Sequence, residues 1–249
     1  MKITPGGVVA AEWTKFSSLR STWTTTGISV LLLIALGMIA SASFSGDGMT
    51  SVDLALSGSF LAALSVGVLG ALLGAGEYTT GMIRATLAAV PRRLPVLWSK
   101  SFVAGSAAFV TMTAGAFAAF TLGSAVLNDK VGGLGLGDDG VLRALLGAGL
   151  YLGLVAVLGV ALGMLLRSSA GAIAILAGVL LIVPGLAALL PDSIAEAVTP
   201  YLPSNAGSAV MALTQVEGTL APWTGLAVFA GYVVAALAAA AYRLKRTDA

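Results

Sequence analysis

The stretch GEYTTGMIRATLAAVPRRLPVLWSK, residues 76–100, lies between two long apolar runs. Its charged residues are Glu77, Arg84, Arg92, Arg93 and Lys100, in a chain of 249 residues of which only 10% are charged. A soluble domain has about 25% charged and about 45–50% apolar residues. Here 58% of the residues are hydrophobic and the mean hydropathy is +0.99. The composition therefore predicts an all-α integral membrane protein in which this stretch joins two spans.

Six apolar segments are long enough to cross a membrane as helices, which requires about 20 residues each. They are residues 27–44, 54–76, 101–127, 144–166, 168–190 and 222–242. No internal repeat and no low-complexity linker divides the sequence. We therefore expect residues 1–249 to form a single transmembrane domain.

The basic residues collect on one side of these spans. The N-terminal arm holds three, the second loop four, the fourth loop one and the C-terminal tail three, which accounts for 11 of the 13 basic residues. The opposite loops carry eight of the 11 acidic residues, with Lys130 and Arg143 as their cations. Lys and Arg in short loops mark the cytoplasmic side, so we expect both termini in the cytoplasm and the protein in the plasma (inner) membrane of the cell.

Several glycines recur four residues apart within the predicted spans. The pairs are Gly70 with Gly74, Gly149 with Gly153, and Gly159 with Gly163. Such spacing lets helix backbones approach closely, either within one bundle or across a dimer interface. Packing within one bundle is the favoured interpretation.

Residue types that are missing exclude several classes of chemistry. The chain has no Cys and no His, which excludes disulfides, Cys/His metal sites and thiol nucleophiles. It has no P-loop motif for ATP, and its spans are almost free of the ionisable groups that ion-driven carriers use. A net charge of +2 is no signature of nucleic-acid binding. We expect a transport pathway without its own energy source, with no catalytic residue and no metal ligand.

The loop at the start of the quoted stretch favours a short helix lying at the membrane surface. Thr79 or Thr80 can cap it, and Pro91 prevents its continuation. An apolar stripe runs along it at Ile83, Leu87 and Val90. The segment is either a linker anchored by positive charges or a docking element for a cytoplasmic partner, and composition alone favours the linker.

The N-terminal arm predicts a second interfacial helix, over about residues 8–24. Its aromatic edge consists of Trp13, Phe16 and Trp23. Glu12 falls on the apolar side of this helix, where a carboxylate is unfavourable without a partner. We expect it to pair with a cation, and Arg20 and Arg84 are the candidates.

Three segments give a specific resemblance: EWTKFSSLRSTWTTT at 12–26, EYTTGMIRATLAAVPRR at 77–93 and PYLPSNAGSAV at 200–210. They resemble the permease subunits of ABC-2 type transporters from actinobacteria, and the resemblance covers essentially the whole chain. It implies an N-terminal elbow helix, six spans and no fused ATPase. It also implies that residues 77–93 form a coupling helix in a cleft of a separate ATP-binding subunit, which reverses the preference for a linker.

The resemblance also implies site residues and partners. The residues that couple to the ATPase would be Glu77, Tyr78, Gly81, Arg84, Pro91 and Arg92, and the elbow residues Glu12, Trp13, Phe16 and Trp23. Two ATP-binding subunits, which use ATP and magnesium, would drive export through two permease chains, expected here as a homodimer. The few charges in the spans favour an apolar or amphipathic cargo. A stand-alone secondary carrier or lipid-handling protein, and a structural or sensory scaffold, are the alternatives.

Residues 191–221 form an outer loop without Lys or Arg and with too many apolar residues for a solvated linker. We expect two short helices, broken at Pro200 and Pro203. A Ser193–Glu196 capping box would open the first, and the second would run from about 205 to 214 after a Ser204 cap. The loop is either a lid that only packs on the bundle or, as the resemblance implies, part of an external gate with Pro200, Pro203 and Asn205 as its residues.

Overall fold

The computed structural model describes residues 4–44, 48–89, 93–127 and 134–246, apart from the side chains of Pro5, Arg84, Leu87 and Ala89. These residues form helices joined by turns, and no strand occurs among them. Six helical segments are long and apolar enough to cross a membrane. The prediction of an all-α protein with six candidate spans is therefore confirmed.

The helices follow one another in a simple order along the chain. They are α1 (Pro5–Ser18), α2 (Arg20–Ser43), α3 (Ser51–Ala55), α4 (Ser59–Thr79), α5 (Ile83–Ala89), α6 (Leu94–Leu127), α7 (Val141–Leu166), α8 (Ser169–Ala177), α9 (Val183–Ala187), α10 (Asp192–Val198), α11 (Pro203–Ser208) and α12 (Pro222–Arg246). The spans are α2, α3 with α4, α6, α7, α8 with α9, and α12. A π-helical turn at Gly178–Ile182 joins α8 to α9.

Helix α7 forms the centre of the bundle and packs against α4 on one side and α6 on another. A Cβ atom added at Gly163 of α7 would lie 2.6 Å from the Ala71 carbonyl oxygen of α4, and one added at Gly70 would clash with the Ala156 carbonyl. Gly149 and Gly153 also lie close to α6, against both backbone and side-chain atoms. The glycine pairs therefore allow close helix packing within one bundle, as the spacing favoured.

One end of the bundle carries the first and the last described residues, and we call it the terminal face. Here α4 and α12 end, α6 begins, and α1 lies against the bundle. The guanidinium of Arg93 donates a hydrogen bond of 3.2 Å to the Leu244 carbonyl, and Arg243 donates to the Leu165 carbonyl. These bonds hold the ends of α12 and α7 and the start of α6 together.

Helix α6 begins at Leu94, seven residues before the predicted start of the third span at residue 101. Its 34 residues would extend about 51 Å at 1.5 Å per residue, which exceeds a hydrocarbon core of about 30 Å. Because the helix continues beyond the apolar run, Lys100 lies inside it and not in a loop. The apolar pattern marked only the part of the helix that membrane lipid can surround.

The N-terminal helix is shorter than predicted, because Leu19 takes an extended conformation and ends α1 at Ser18. Trp23 therefore belongs to α2, and its assignment to the N-terminal helix is wrong. Its indole Nε1 donates a 2.9 Å hydrogen bond to the carbonyl of Ser17. This bond satisfies one of the carbonyl groups that the end of α1 leaves without a helical partner.

A turn separates α4 from α5. Thr79 ends α4 and Thr80 follows it, and both hydroxyls donate back to a carbonyl of α4, at 2.9 and 3.0 Å. Gly81 comes next with a φ of 73°, in the left-handed region that glycine enters at little cost. The predicted cap of α5 by either threonine is therefore wrong, and Glu77 and Arg84 lie on different helices.

The outer loop forms two short helical units at the end of the bundle opposite the terminal face. The first is α10 with a 3-10 turn at Thr199–Tyr201, and the second is α11 with a 3-10 turn at Ala209–Met211. Two short helices divided near the prolines match the prediction. Helix α10 has no buried residue, whereas α11 packs against α12.

The predicted caps of these two units are wrong. Helix α10 follows Pro191 without a side-chain cap, so Ser193 lies inside the helix and forms no capping box. Helix α11 begins at Pro203, which places Ser204 inside it as well. In α11, proline at the first helical position replaces the expected cap, because its ring presets the helical φ angle and it has no N–H to satisfy.

Candidate functional site

Four charged side chains meet at the terminal face and form a closed ring of ion pairs. Lys15 Nζ lies 2.9 Å from Glu12 Oε1 and 2.9 Å from Glu77 Oε1. Lys100 Nζ lies 2.7 Å from Glu12 Oε2 and 2.9 Å from Glu77 Oε1. We call these four residues the charge ring. It joins α1, α4 and α6 and has no net charge.

A fifth residue connects the short helix α5 to this ring. The hydroxyl of Thr86 donates a 2.8 Å hydrogen bond to Glu77 Oε2 and accepts a 3.4 Å bond from Lys15 Nζ. Both carboxylate oxygens of Glu77 are therefore engaged, one by two ammonium groups and the other by a hydroxyl. Helix α5 is held to the bundle through these bonds and through its buried residue Ile83.

Three of the four side chains of the charge ring are buried. Glu12, Lys100 and Glu77 are 5–7% exposed, whereas the Lys15 side chain is 33% exposed. Removing charges from water is costly, and the cost is recovered only when each charge is paired and hydrogen-bonded. Because every member has two opposite charges as neighbours, the ring is stable as a whole and unfavourable when broken.

Burial lowers the pKa of the Lys15 ammonium, but its hydrogen bonds to Glu12 and Glu77 raise that pKa by more, so it lies above its ordinary value. A lysine whose pKa is raised on folding contributes stability that is complete below about pH 10.4. That stability is lost only as the pH rises through the folded-state pKa. Lys15 therefore stays charged, and paired, across the physiological pH range.

The ring contains two residues that sequence reasoning assigned to function and two that it did not. Glu12 and Glu77 were predicted site residues, and Glu12 pairs with cations as expected, with Lys15 and Lys100 as partners. Of its two expected partners, Arg20 makes no such pair among the described residues, and the side chain of Arg84 lies outside them. The sequence reasoning missed Lys100 because it placed this residue in a loop. Inside a long helix a charged residue must be paired, which would have made Lys100 a candidate partner.

The other side of the α4 terminus makes a second set of contacts. The Arg167 guanidinium lies over the Tyr78 ring at 5.2 Å, a distance suited to a cation–π interaction. Arg167 itself ends α7 in a left-handed conformation with φ of 56°. The last turn of α4 is thus held by the charge ring through Glu77 and by α7 through Tyr78.

The predicted aromatic edge of the N-terminal helix forms a cluster with two half-exposed tryptophans. Phe16 is buried, and its ring stacks on Trp13 at 5.7 Å and meets Trp23 edge to face at 6.2 Å. Trp13 and Trp23 are 47% and 50% exposed. Half-exposed indoles beside a charged face are typical of a membrane–water interface.

The remaining predicted coupling residues cannot be assigned contacts. Arg84 lies on α5, but its side chain is not among those described. Pro91 and Arg92 lie outside the described residues. Gly81 has its backbone role in the α4–α5 turn.

A cavity of about 310 Å³ opens beside the charge ring, between α1, α4 and α6. All four members of the charge ring line it. Its apolar lining includes Phe16, Leu72, Leu73 and Val103. Most of the lining is apolar, and the charge ring supplies its charged groups.

At the opposite end of the bundle, the predicted gate residues lie at the junction of the two outer units. Asn205 Nδ2 donates a 2.9 Å hydrogen bond to the Thr199 carbonyl and so joins α11 to the turn that contains Pro200. Arg143 of α7 donates to the carbonyls of Val210, Ala212 and Leu213. The second unit is therefore anchored to α7.

Within the described part of the chain, no group of three or more Asp, Glu, His or Cys residues is arranged to hold a metal ion. Neither a scan against protein-family models nor a search of curated proteins finds a match for this chain. The charge ring, α5 and the cavity are the features that bear on function.

Proposed function

We propose that this chain is the permease subunit of an ATP-driven exporter of the ABC-2 type, working with a separate ATP-binding subunit. In this proposal the terminal face is cytoplasmic, α1 is the elbow helix and α5 is the coupling helix. The observation that carries the proposal is the attachment of α5 to the charge ring through Thr86. A short helix outside the spans is thereby connected to three helices of the bundle.

The connection gives a physical route for coupling. A partner that binds α5 and moves it pulls on Glu77 through Thr86, and Glu77 is paired with Lys100 of α6 and Lys15 of α1. Breaking the ring is unfavourable, so α1, α4, α5 and α6 move together as one unit. Motion imposed at α5 then reaches two spans, as a rigid-body switch requires.

Glu77 acts in this proposal as a positioning residue and not as a contact of the ATPase. It is 7% exposed and both of its carboxylate oxygens are occupied. The partner would bind α5, the helix that carries Arg84. Pro91 and Arg92, which the resemblance also assigns to coupling, lie outside the described residues. Two permease chains, in a homodimer, would complete the path for an apolar or amphipathic cargo.

Charge reversal on α5 tests the proposal. Arg84→Glu should leave the chain folded but reduce the amount of ATP-binding protein that co-purifies with it by about tenfold, the effect of 1.4 kcal/mol in affinity. Lys245→Glu, an exposed position at the end of α12, is the matched control and should retain the partner. Equal recovery of the ATP-binding protein with Arg84→Glu and with the control would refute the assignment of α5.

A stand-alone carrier predicts a different result. Its transport would persist in membranes that lack any ATP-binding protein, and no ATPase would co-purify with the wild-type chain. The charge ring lies near the ends of α4 and α6 and not at mid-span, where ion-coupled carriers place their ionisable groups. The position of the ring therefore favours the ATP-driven exporter.

A further inference from the structure

In the cavity beside the charge ring, Leu72, Leu73 and Val103 lie farther from the terminal face than the charged side chains do. Leu72 and Leu73 precede Glu77 on α4 by five and four residues, and Val103 follows Lys100 on α6 by three. At 1.5 Å per residue the apolar side chains lie about 4–8 Å farther from the terminal face than the charges do. The cavity thus has its polar end outward and its apolar end toward the middle of the membrane.

We propose that this cavity holds one acyl chain of a membrane phospholipid, with an ester or phosphate oxygen of the same lipid accepting a hydrogen bond from Lys100. A phospholipid in a bilayer has the same orientation as the cavity, because its polar oxygens lie at the interface and its acyl chains extend toward the centre. The proposal concerns the cavity alone and does not depend on a partner ATPase.

Lys100 supplies the polar contact that a lipid oxygen needs. Its ammonium group can donate three hydrogen bonds. It donates two, to Glu12 and Glu77, and among the described residues no acceptor takes the third. The side chain is 7% exposed and lines the cavity, so the remaining N–H is buried unless a ligand oxygen reaches it.

The size and surroundings of the cavity favour a lipid chain over a soluble ligand. Its volume of about 310 Å³ is at the lower limit for pockets that enclose drug-sized molecules. A cavity of this volume holds part of one acyl chain, while the rest of the lipid remains in the bilayer. Leu19, Met82 and Leu72 of its lining are about half exposed, and exposed apolar side chains face lipid more favourably than water.

Filling the cavity from Gly76 gives a direct test. Gly76 lines the cavity, and a Cβ atom added there has no heavy atom within 4 Å, so Gly76→Leu adds an apolar side chain at the cavity wall from an unobstructed Cβ position. Gly231→Leu is the matched control, because Gly231 of α12 is equally free of neighbours and is exposed. Both variants should melt within a few degrees of wild type, since neither overpacks the bundle.

The measurement is native mass spectrometry of the purified chain after exchange into detergent with added phosphatidylglycerol or, separately, free fatty acid. We expect one phospholipid to remain on wild type and on Gly231→Leu, with occupancy reduced by about tenfold or more in folded Gly76→Leu. Equal lipid retention by Gly76→Leu and wild type would overturn the site. Retention of fatty acid but not of phosphatidylglycerol would overturn the contact between Lys100 and the lipid's own oxygens.

Discussion

At the scale of single residues, the charge ring matters because three of its four side chains are shielded from water. A buried pair is weak evidence of net stability, but removing one partner leaves the other charge buried and uncompensated, which costs about 3–5 kcal/mol. Solvent screening reduces that cost where a side chain is partly exposed. The ring contains both cases, in Lys100 and Lys15.

Lys100→Met should therefore destabilise the chain by about 3–5 kcal/mol, because Glu12 and Glu77 each lose a buried cation. Lys15→Met should cost about 1 kcal/mol or less, since the Lys15 side chain is 33% exposed and screened. Unfolding in detergent, followed by circular dichroism, gives both values. Lys245→Met, on an exposed position, is the control, and equal stability of Lys100→Met and this control would contradict the buried ring.

Thr86→Val removes one hydroxyl with little change of shape. We expect it to weaken the attachment of α5 by about 1.5–3 kcal/mol, the contribution of a hydrogen bond to a charged group, while the bundle stays folded. Hydrogen exchange at the amides of α5 should rise by about tenfold or more relative to wild type. Thr79→Val is the control, because the Thr79 hydroxyl bonds only a carbonyl of its own helix. Unchanged exchange in α5 would mean that Thr86 does not hold the helix.

At the scale of helices, short segments at the two ends of the bundle carry the proposed function. The turn from α4 to α5 passes through Gly81, whose φ of 73° is unfavourable for other residues. Helix α10 is exposed, whereas Arg143 anchors the chain that follows α11 to α7. Each end thus joins a firmly packed helix to a short helix that has fewer buried contacts.

Gly81→Ala should shift or loosen α5, because a Cβ in the left-handed region costs about 1–2 kcal/mol. The stability of Gly81→Ala is to be compared with that of Gly76→Ala. Gly76 lies inside α4 with open space at its Cβ, so this variant should be neutral or slightly stabilising. Thermal unfolding measures the change in stability, and co-purification of the ATP-binding protein measures the effect of a shifted or loosened α5 on binding. Identical behaviour of the two variants would show that the turn is not needed to orient α5.

Cysteine labelling tests whether the two outer helical units open as a gate. The chain has no cysteine, so Asn205→Cys introduces a single reactive thiol at the junction between α10 and α11. If the outer units open during transport, its labelling rate from outside should depend on the nucleotide bound to the partner. Glu196→Cys, on exposed α10, should label quickly throughout. Fast labelling of Asn205→Cys in every nucleotide state would place the gate elsewhere.

At the scale of the whole molecule, apolar run length was enough to predict the six spans, because about 20 apolar residues are required to cross a bilayer. It could not place Lys100 inside α6, since the helix continues past the apolar run. The aromatic period identified Trp13 and Phe16 of α1 but not the break at Leu19, after which Trp23 of α2 bonds back to the Ser17 carbonyl. The partners of Glu12 depend on how three helices meet, which no local pattern contains.

The composition of the purified complex shows whether this chain works with a separate ATP-binding protein. The tagged chain should be purified from its native membranes in mild detergent, and the intact complex weighed by native mass spectrometry with its ATPase activity measured. We expect two copies of this 24.7 kDa chain with two copies of an ATP-binding protein, and ATP hydrolysis by that complex. One copy of this chain with two ATP-binding chains and a different second permease would contradict the homodimer. Recovery of the chain with no ATP-binding protein, under conditions that keep it folded, would contradict the account itself.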